Sequence, residues 1–491
     1  SKVDDERFLH LSKGTSLRSR VSPIFNERLY HDYIRDVLYV VLNQEDVDRE
    51  YEDLLDIDRT VDLAFSKPAR AEPANFGVVE LFMGLDKKLD AALWLDTINK
   101  NVEDNLKQGL GSEVLVTGRK ELTMVRNKLE EKEKRYMLST YLYMQVLMGV
   151  LRYDYFRRYE VHHPKDVVLL CLSISRRLLL TWPYLVANLT SSAESLNGSR
   201  GVFNRIVDAS LRSVRSMSWM ELPSRLEAIR KLQKLSLIDV DIVPPDSMMQ
   251  LVNYSSLGDL KGGFVDSYLK MATFDTRLRR QLFGQEMHVV HGSYQMAGDM
   301  LYLDDSNSVF LPTVASTPPV YYPVGVDDPF NYGTLGVMLA RAVSKALGPT
   351  GSKVMADGTN VDWWTEATHL HFSRTVDCYM KQYLSMERDS QGFSAKQREE
   401  LFLSVRSIRI AYDRYQQDEK TRRTNMAELI TRDRAFFVRA CLLTCSSQEE
   451  AERLSRKSRC NLPVMNMPEF ARTFGCHKNA LLNPEGRCPF M

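Results

Sequence analysis

No stretch of this 491-residue chain is long and apolar enough to cross a bilayer. The best run, residues 138–151, falls short of the ~18 to 20 apolar residues a membrane helix needs. It is also broken by Gln145, and it reads as buried core. An excess of either charge is missing too. The chain has 65 basic residues against 64 acidic ones, which excludes the broad electrostatic footprint of a nucleic-acid or anionic-membrane binder. The basic run Arg453, Arg456, Lys457 and Arg459 reads as a solvated loop. Catalytic fingerprints are absent as well: no G-x-S-x-G, no P-loop, no dinucleotide-binding glycine pattern. Neither H-E-x-x-H nor H-x-x-E-H occurs. The histidine pairs His288 and His291, His162 and His163, and His369 and His371 lack a carboxylate at ligand spacing. Each reads as a satisfied or exposed side chain. Proline is missing from 74–163, where Leu, Glu, Lys and Arg abound, and this argues for long helices.

What is present begins with size. A chain of this length that is 44% hydrophobic can bury a large core and divides into two or more domains. Leu122, Val125, Leu129, Tyr136 and Leu147 form an apolar stripe at helical spacing. Further helices are expected at 167–180 and 202–217, separated by the polar stretch 191–199. Residues 1–245 therefore read as a helical domain, ending near the Pro-containing segment 243–246. From 248 the composition shifts. Short strands are expected at 287–290, 300–303 and 309–311, with a turn at 304–307. Helices follow at 334–347, 362–385, 395–415 and 432–444. Residues 246–491 thus read as a small sheet followed by stacked helices.

Seven cysteines, Cys171, Cys378, Cys441, Cys445, Cys460, Cys476 and Cys488, crowd toward the end. Three N-x-S/T sequons lie at Asn188, Asn197 and Asn253. Together these favour an extracellular compartment, secreted or as the ectodomain of a single-pass protein. The chain opens at Ser1 with neither an initiator Met nor a signal pattern. It reads as processed or incomplete, and the odd cysteine set favours incomplete.

The most telling segment is 331–365, NYGTLGVMLARAVSKALGPTGSKVMADGTNVDWWT. Its N-Y-G before a helix and V-D-W-W-T after it resemble the neprilysin and endothelin-converting-enzyme family. So do LPTVASTPPVYY at 311–322, Trp219-Met220 with the helix after it, and the ending PEFARTFGCHKNALLNPEGRCPFM. The resemblance runs from about residue 20 to the end and is dense from Trp219 onward. It implies a mainly α protein with a small β-sheet: a thermolysin-like, neprilysin-type domain plus an all-helical domain, the N-terminal part of the family ectodomain being absent.

The resemblance also locates the site. In the family the zinc helix carries H-E-x-x-H, whose two imidazoles at i and i+4 hold the metal beside a Glu general base. The matching positions here are Arg341, Ala342 and Lys345. Cations without lone pairs replace both ligands, and the base is gone. The family's third ligand falls on Glu400, with Ser404 in place of the Asp that orients a ligand histidine; alternatively Glu400 is one of the exposed acids of QREEL. The transition-state His position falls on Arg453 and a substrate-binding Arg on Arg459. The peptide-binding strand N-A-F-Y matches Asp299, Met300, Leu301 and Tyr302. The resemblance implies a Cys378–Cys488 disulfide and leaves Cys445 and Cys476 without their partners. If the register holds, Arg341 grips Glu400 with help from Lys345. The expectation is a pseudopeptidase with no cofactor, zinc being the family's, that binds peptides or extracellular proteins in the former cleft. The alternative is an active zinc metalloendopeptidase.

Overall fold

The computed structural model describes residues 9–11, 27–41, 44–66, 74–77, 91–100, 107–116, 141, 168, 171–172, 174–175, 182–239, 254–261, 263–282, 300–304, 306–324, 328–387, 393–422, 425–445 and 454–491. The stripe from Leu122 to Leu147, the 243–246 boundary, the 287–290 strand, Asn253, Asp299, Arg453, His162, His163, His288 and His291 lie outside the described residues. Two compact units emerge: Ser1–Leu178 with Asn253–Gln285, and Leu179–Val252 with Glu286–Met491.

In the first unit, helices α1 (Glu27–Val41) and α2 (Gln44–Ser66) pack on each other. Ile34 and Leu38 of α1 and Val47 and Leu54 of α2 repeat at helical spacing and are buried. The buried Asp58 accepts hydrogen bonds from Tyr30 (2.6 Å) and Tyr141 (2.9 Å), so both carboxylate oxygens are engaged within the core. A small sheet accompanies the helices: β1 (Leu9–Leu11), β2 (Ala74–Gly77) and β3 (Glu113–Val116), in the order β1-β3-β2. The proline-free stretch is therefore not helical throughout. Only α3 (Ala91–Asn99) is a complete helix among its described residues.

The second unit carries the site, and its limits differ from a division at 245/246. Residues 179–252 belong to it because their helices bury their faces there. After α4 (Trp182–Thr190), α5 (Ala193–Arg215) starts at a Ser192 cap that accepts the Ser195 N–H at 3.1 Å. The polar stretch 191–199 is thus the first turns of a helix and not a separator. Leu196, Phe203, Ile206 and Val214 of α5 are buried, each contributing about 1.5–3 kcal/mol of burial energy. The next helix, α6 (Leu222–Gln233), carries Lys231, which is fully buried. Its amine donates to the carbonyls of Gly351 and Val354 and lies 5.4 Å from the Tyr302 ring centre. Burial pushes this ammonium down to about 8.

A second sheet, β4 (Ser236–Ile238), β5 (Leu301–Leu303) and β6 (Ser308–Phe310), has the order β4-β6-β5. The antiparallel β5–β6 pair is joined by a turn in which Asn307 adopts a positive φ of 44°. A π-type turn, Tyr332–Gly336, leads into α7 (Val337–Lys345). Helices α8 (Glu366–Met386), α9 (Ala395–Arg422), α10 (Met426–Leu442), α11 (Arg456–Met465) and α12 (Pro468–Phe474) complete the unit. The central helix is α9, with α5, α7 and α11 against it. Leu401, Phe402, Val405, Ile408, Ala411 and Tyr415 of α9 are buried on several faces, as expected of an enclosed helix.

Candidate functional site

The motif residues around α7 are structural first. The Asn331 side chain donates to the Tyr322 carbonyl (2.8 Å) and accepts the Tyr322 N–H (2.9 Å), so one amide pairs with the extended segment as a strand would. The Tyr332 hydroxyl donates to Asp418 at 2.6 Å and accepts from Arg205 at 2.8 Å. At Gly333 a Cβ would lie 2.8 Å from the Phe436 carbonyl oxygen, so only glycine lets this turn approach α10. Beyond α7, the Trp363 indole donates to the Gly351 and Val354 carbonyls, and Thr365 caps α8 by accepting the Thr368 N–H. Trp364 meets Trp219 edge-to-face at 5.6 Å. His369 lies 3.0 Å from Asp362 and His371 donates to the Trp219 carbonyl at 3.1 Å. Both histidines are satisfied.

These contacts hold α7 so that Leu339, Ala340, Ala342 and Val343 are buried while Arg341 and Lys345 share its open face. Across from them Glu400 of α9 is buried, its side chain only 7% exposed. It is not a surface acid. Arg341 Nη2 donates to Glu400 Oε2 at 2.7 Å, and Arg341 Nη1 reaches Ser404 Oγ at 3.5 Å. The other carboxylate oxygen, Oε1, faces Arg459 Nη1 at 3.9 Å. The supporting cation is therefore Arg459. Lys345 has no ion pair among the described residues. Only Oε2 is hydrogen-bonded; Oε1 has the more distant Arg459 guanidinium facing it and no hydrogen-bond partner, and the Lys345 ammonium one turn along α7 does not pair with it.

Arg459 corrects the reading of the basic run as a solvated loop. Ser455 accepts the Ser458 N–H at 3.2 Å and starts α11, which carries Arg456, Lys457 and Arg459. A second disulfide, Cys441–Cys460 (Cα–Cα 5.2 Å), ties α11 to α10 beside Arg459. Nothing in the spacing of those two cysteines announced it. The Cys378–Cys488 bridge is present, with Cα atoms 5.7 Å apart, while Cys171, Cys445 and Cys476 carry free thiols.

Beside the ion pair lies a cavity of about 570 Å³. Arg341, Ala342, Lys345, Glu400 and Arg459 line it with Met300 and Leu301 of the β5 end. Tyr302 does not. It alternates to the other side of the strand, is buried, and donates its hydroxyl to Asn307 at 2.9 Å. Lys396, Glu399, Met338 and Leu443 also line the cavity and were not foreseen. Lys396 and Glu399 stand one helical turn from Glu400 or adjacent to it, a proximity that helix spacing alone could have flagged. Of the sequons, Asn188 and Asn197 are exposed but helical, and Ser199 of the second is fully buried.

Residues 300–490 match the family described as Peptidase family M13. Neprilysin-3 of Drosophila melanogaster is 21% identical over 316 residues, which cover 60% of this chain and 39% of that protein. Endothelin-converting enzyme-like 1 of Homo sapiens is 25% identical over 200 residues, covering 38% of this chain and 26% of that protein. The chain thus spans well under half the length of these relatives. Among solved structures, an inhibitor complex of the Mycobacterium tuberculosis zinc metalloprotease Zmp1 superposes with a TM-score of 0.71 at 15% identity, over 94% of this chain and 73% of that one. PepO from Lactobacillus rhamnosis gives 0.65 at 13% identity, over 97% and 78%. The fold is of this type.

Proposed function

We propose that this chain, a neprilysin homologue whose residues 300–490 form a Peptidase family M13 domain, does not hydrolyse peptides and instead holds them in the cavity beside α7. The observation that carries this reading is the guanidinium of Arg341 seated on Glu400 at 2.7 Å. The side chains do not fit a catalytic zinc. A zinc ligand must offer a lone pair, and neither Arg341 nor Lys345 has one at neutral pH. The remaining ligand position, Glu400, already has one oxygen in a charge-assisted bond, and Ala342 cannot take a proton from water. Among the described residues no three His, Cys, Asp or Glu side chains cluster as a metal site would require.

Peptide binding without cleavage needs only a shaped cavity and an accessible strand edge. Met300 and Leu301 bring the β5 end to the cavity, and β5 lies at the edge of its sheet among the described residues. The partners are peptides or extracellular proteins. An extracellular setting is supported by the Cys378–Cys488 and Cys441–Cys460 bridges. No described helix is long and apolar enough to cross a membrane.

The test is metal analysis of purified, dialysed protein, together with a quenched-fluorescent oligopeptide that an active neprilysin cleaves in parallel. The expected result is substoichiometric zinc and no hydrolysis above blank. About one zinc per chain with turnover would return the protein to the active zinc metalloendopeptidases.

A further inference from the structure

The cavity carries four cations, Arg341, Lys345, Lys396 and Arg459, against two carboxylates, Glu399 and Glu400. Arg341 and Arg459 both address Glu400, at 2.7 and 3.9 Å. Lys345 stands apart. It is half-buried, lines the cavity, and has no hydrogen-bond or ion-pair partner for its ammonium among the described residues. The wall around it is apolar, with Val320, Val337, Met338, Leu403 and Leu443. A partly desolvated ammonium in such surroundings gains most from a charged acceptor.

We propose that Lys345 is the receptor for a carboxylate of a bound peptide, and that the apolar wall takes the side chain next to that carboxylate. This rests on the reading of the cavity as a peptide site. The position once suited to a metal ligand would then keep a cation facing the ligand, supplied by the protein itself. The single unpartnered ammonium sets the class of anion, because Arg341 and Arg459 face Glu400 and Lys396 has an interaction of its own. Glu399 and Glu400 in the same wall repel a second negative charge, so a monoanionic carboxylate suits the site better than a dianionic phosphate. A lysine also suits it, because its ammonium is a compact point charge that can turn its donors toward a carboxylate arriving from either a side chain or a chain end.

Three acetylated leucine pentapeptides supply the test: one amidated with a central glutamate, one amidated with a central glutamine, and one without acidic side chains but with a free C-terminal carboxylate. Binding to the full chain is measured by calorimetry. The glutamate peptide, the free-carboxylate peptide or both should bind about tenfold or more tightly than the glutamine peptide, as a charge-assisted hydrogen bond implies. Which of them does so identifies the carboxylate's source. Lys345→Gln should abolish that preference, Lys345→Arg should retain it, and exposed Lys478→Gln should leave it intact. Equal affinities for all three peptides would overturn the carboxylate assignment while leaving a peptide-binding cavity in place. So would a preference that survives in Lys345→Gln, or tighter binding of a phosphoserine counterpart. Absence of binding by every peptide would remove both this assignment and the reading beneath it.

Discussion

Arg341 and Lys345 carry the same charge one helical turn apart, yet the fold uses them differently. Arg341 pairs with a buried carboxylate, whereas Lys345 forms no ion pair among the described residues. Removing Arg341 leaves Glu400 buried, with one oxygen facing only the more distant Arg459. An unpaired buried carboxylate is costly, but Arg341 is 35% exposed and water can partly replace it. Arg341→Ala should therefore destabilise by about 1–3 kcal/mol in chemical denaturation. Arg374→Ala, at an exposed position of α8, should fall within about 0.5 kcal/mol of the parent. Adding Glu400→Gln to Arg341→Ala should recover part of the loss, since it removes the stranded charge. Equal losses for the two arginine variants would show that the ion pair contributes nothing.

At the scale of elements, α7 is positioned by close approach. The turn Tyr332–Gly336 lies against α10, and at Gly333 a Cβ would meet the Phe436 carbonyl oxygen at 2.8 Å and the Arg439 Cβ at 2.8 Å. Backbone cannot swing aside as a side-chain end can, so one element must shift. Gly333→Ala should cost about 1–3 kcal/mol, as overpacking in a dense core does. Gly486→Ala, where a Cβ meets nothing within 4 Å, should cost far less. Matched thermal or denaturant midpoints for the two variants would contradict the close approach. The same packing explains why the N-Y-G and V-D-W-W-T segments remain readable here: Asn331, Tyr332, Trp363, Trp364 and Thr365 hold backbone, stack or cap, and none of these tasks needs a metal.

At the scale of the whole molecule, the unit bearing the site is assembled from two stretches of chain, Leu179–Val252 and Glu286–Met491. Within it Cys378 and Cys488 close a span of 110 residues and fasten the C-terminal segment to α8. Such a link restrains the unfolded chain, by up to about 4.7 kcal/mol for a loop of ~100 residues in the chain-entropy model. The Cys378→Ala, Cys488→Ala double variant should lose about 2–4 kcal/mol of stability in non-reducing denaturation. Cys445→Ala, at an exposed free thiol, should lose little. An unchanged midpoint for the double variant would mean that the bond does not form in solution.

The sequence by itself determined the family frame, helices α7 to α10, and the absence of H-E-x-x-H and of its inverted form, while the resemblance implied the Cys378–Cys488 pairing. These are properties of residue identity and short-range order. A protonated lysine offers zinc no lone pair, and caps, turns and apolar spacing act over a few residues. Helix register also made the Arg341–Glu400 pair foreseeable. Only tertiary structure decided that Glu400 is buried, that Arg459 and not Lys345 supports the pair, and that Tyr302 belongs to the core. It also decided that Cys441 pairs with Cys460 and that α5 packs with the site. Each of these depends on which helix faces which across tens to hundreds of residues. That is set by how the apolar faces of the whole unit pack together, and no local pattern encodes it.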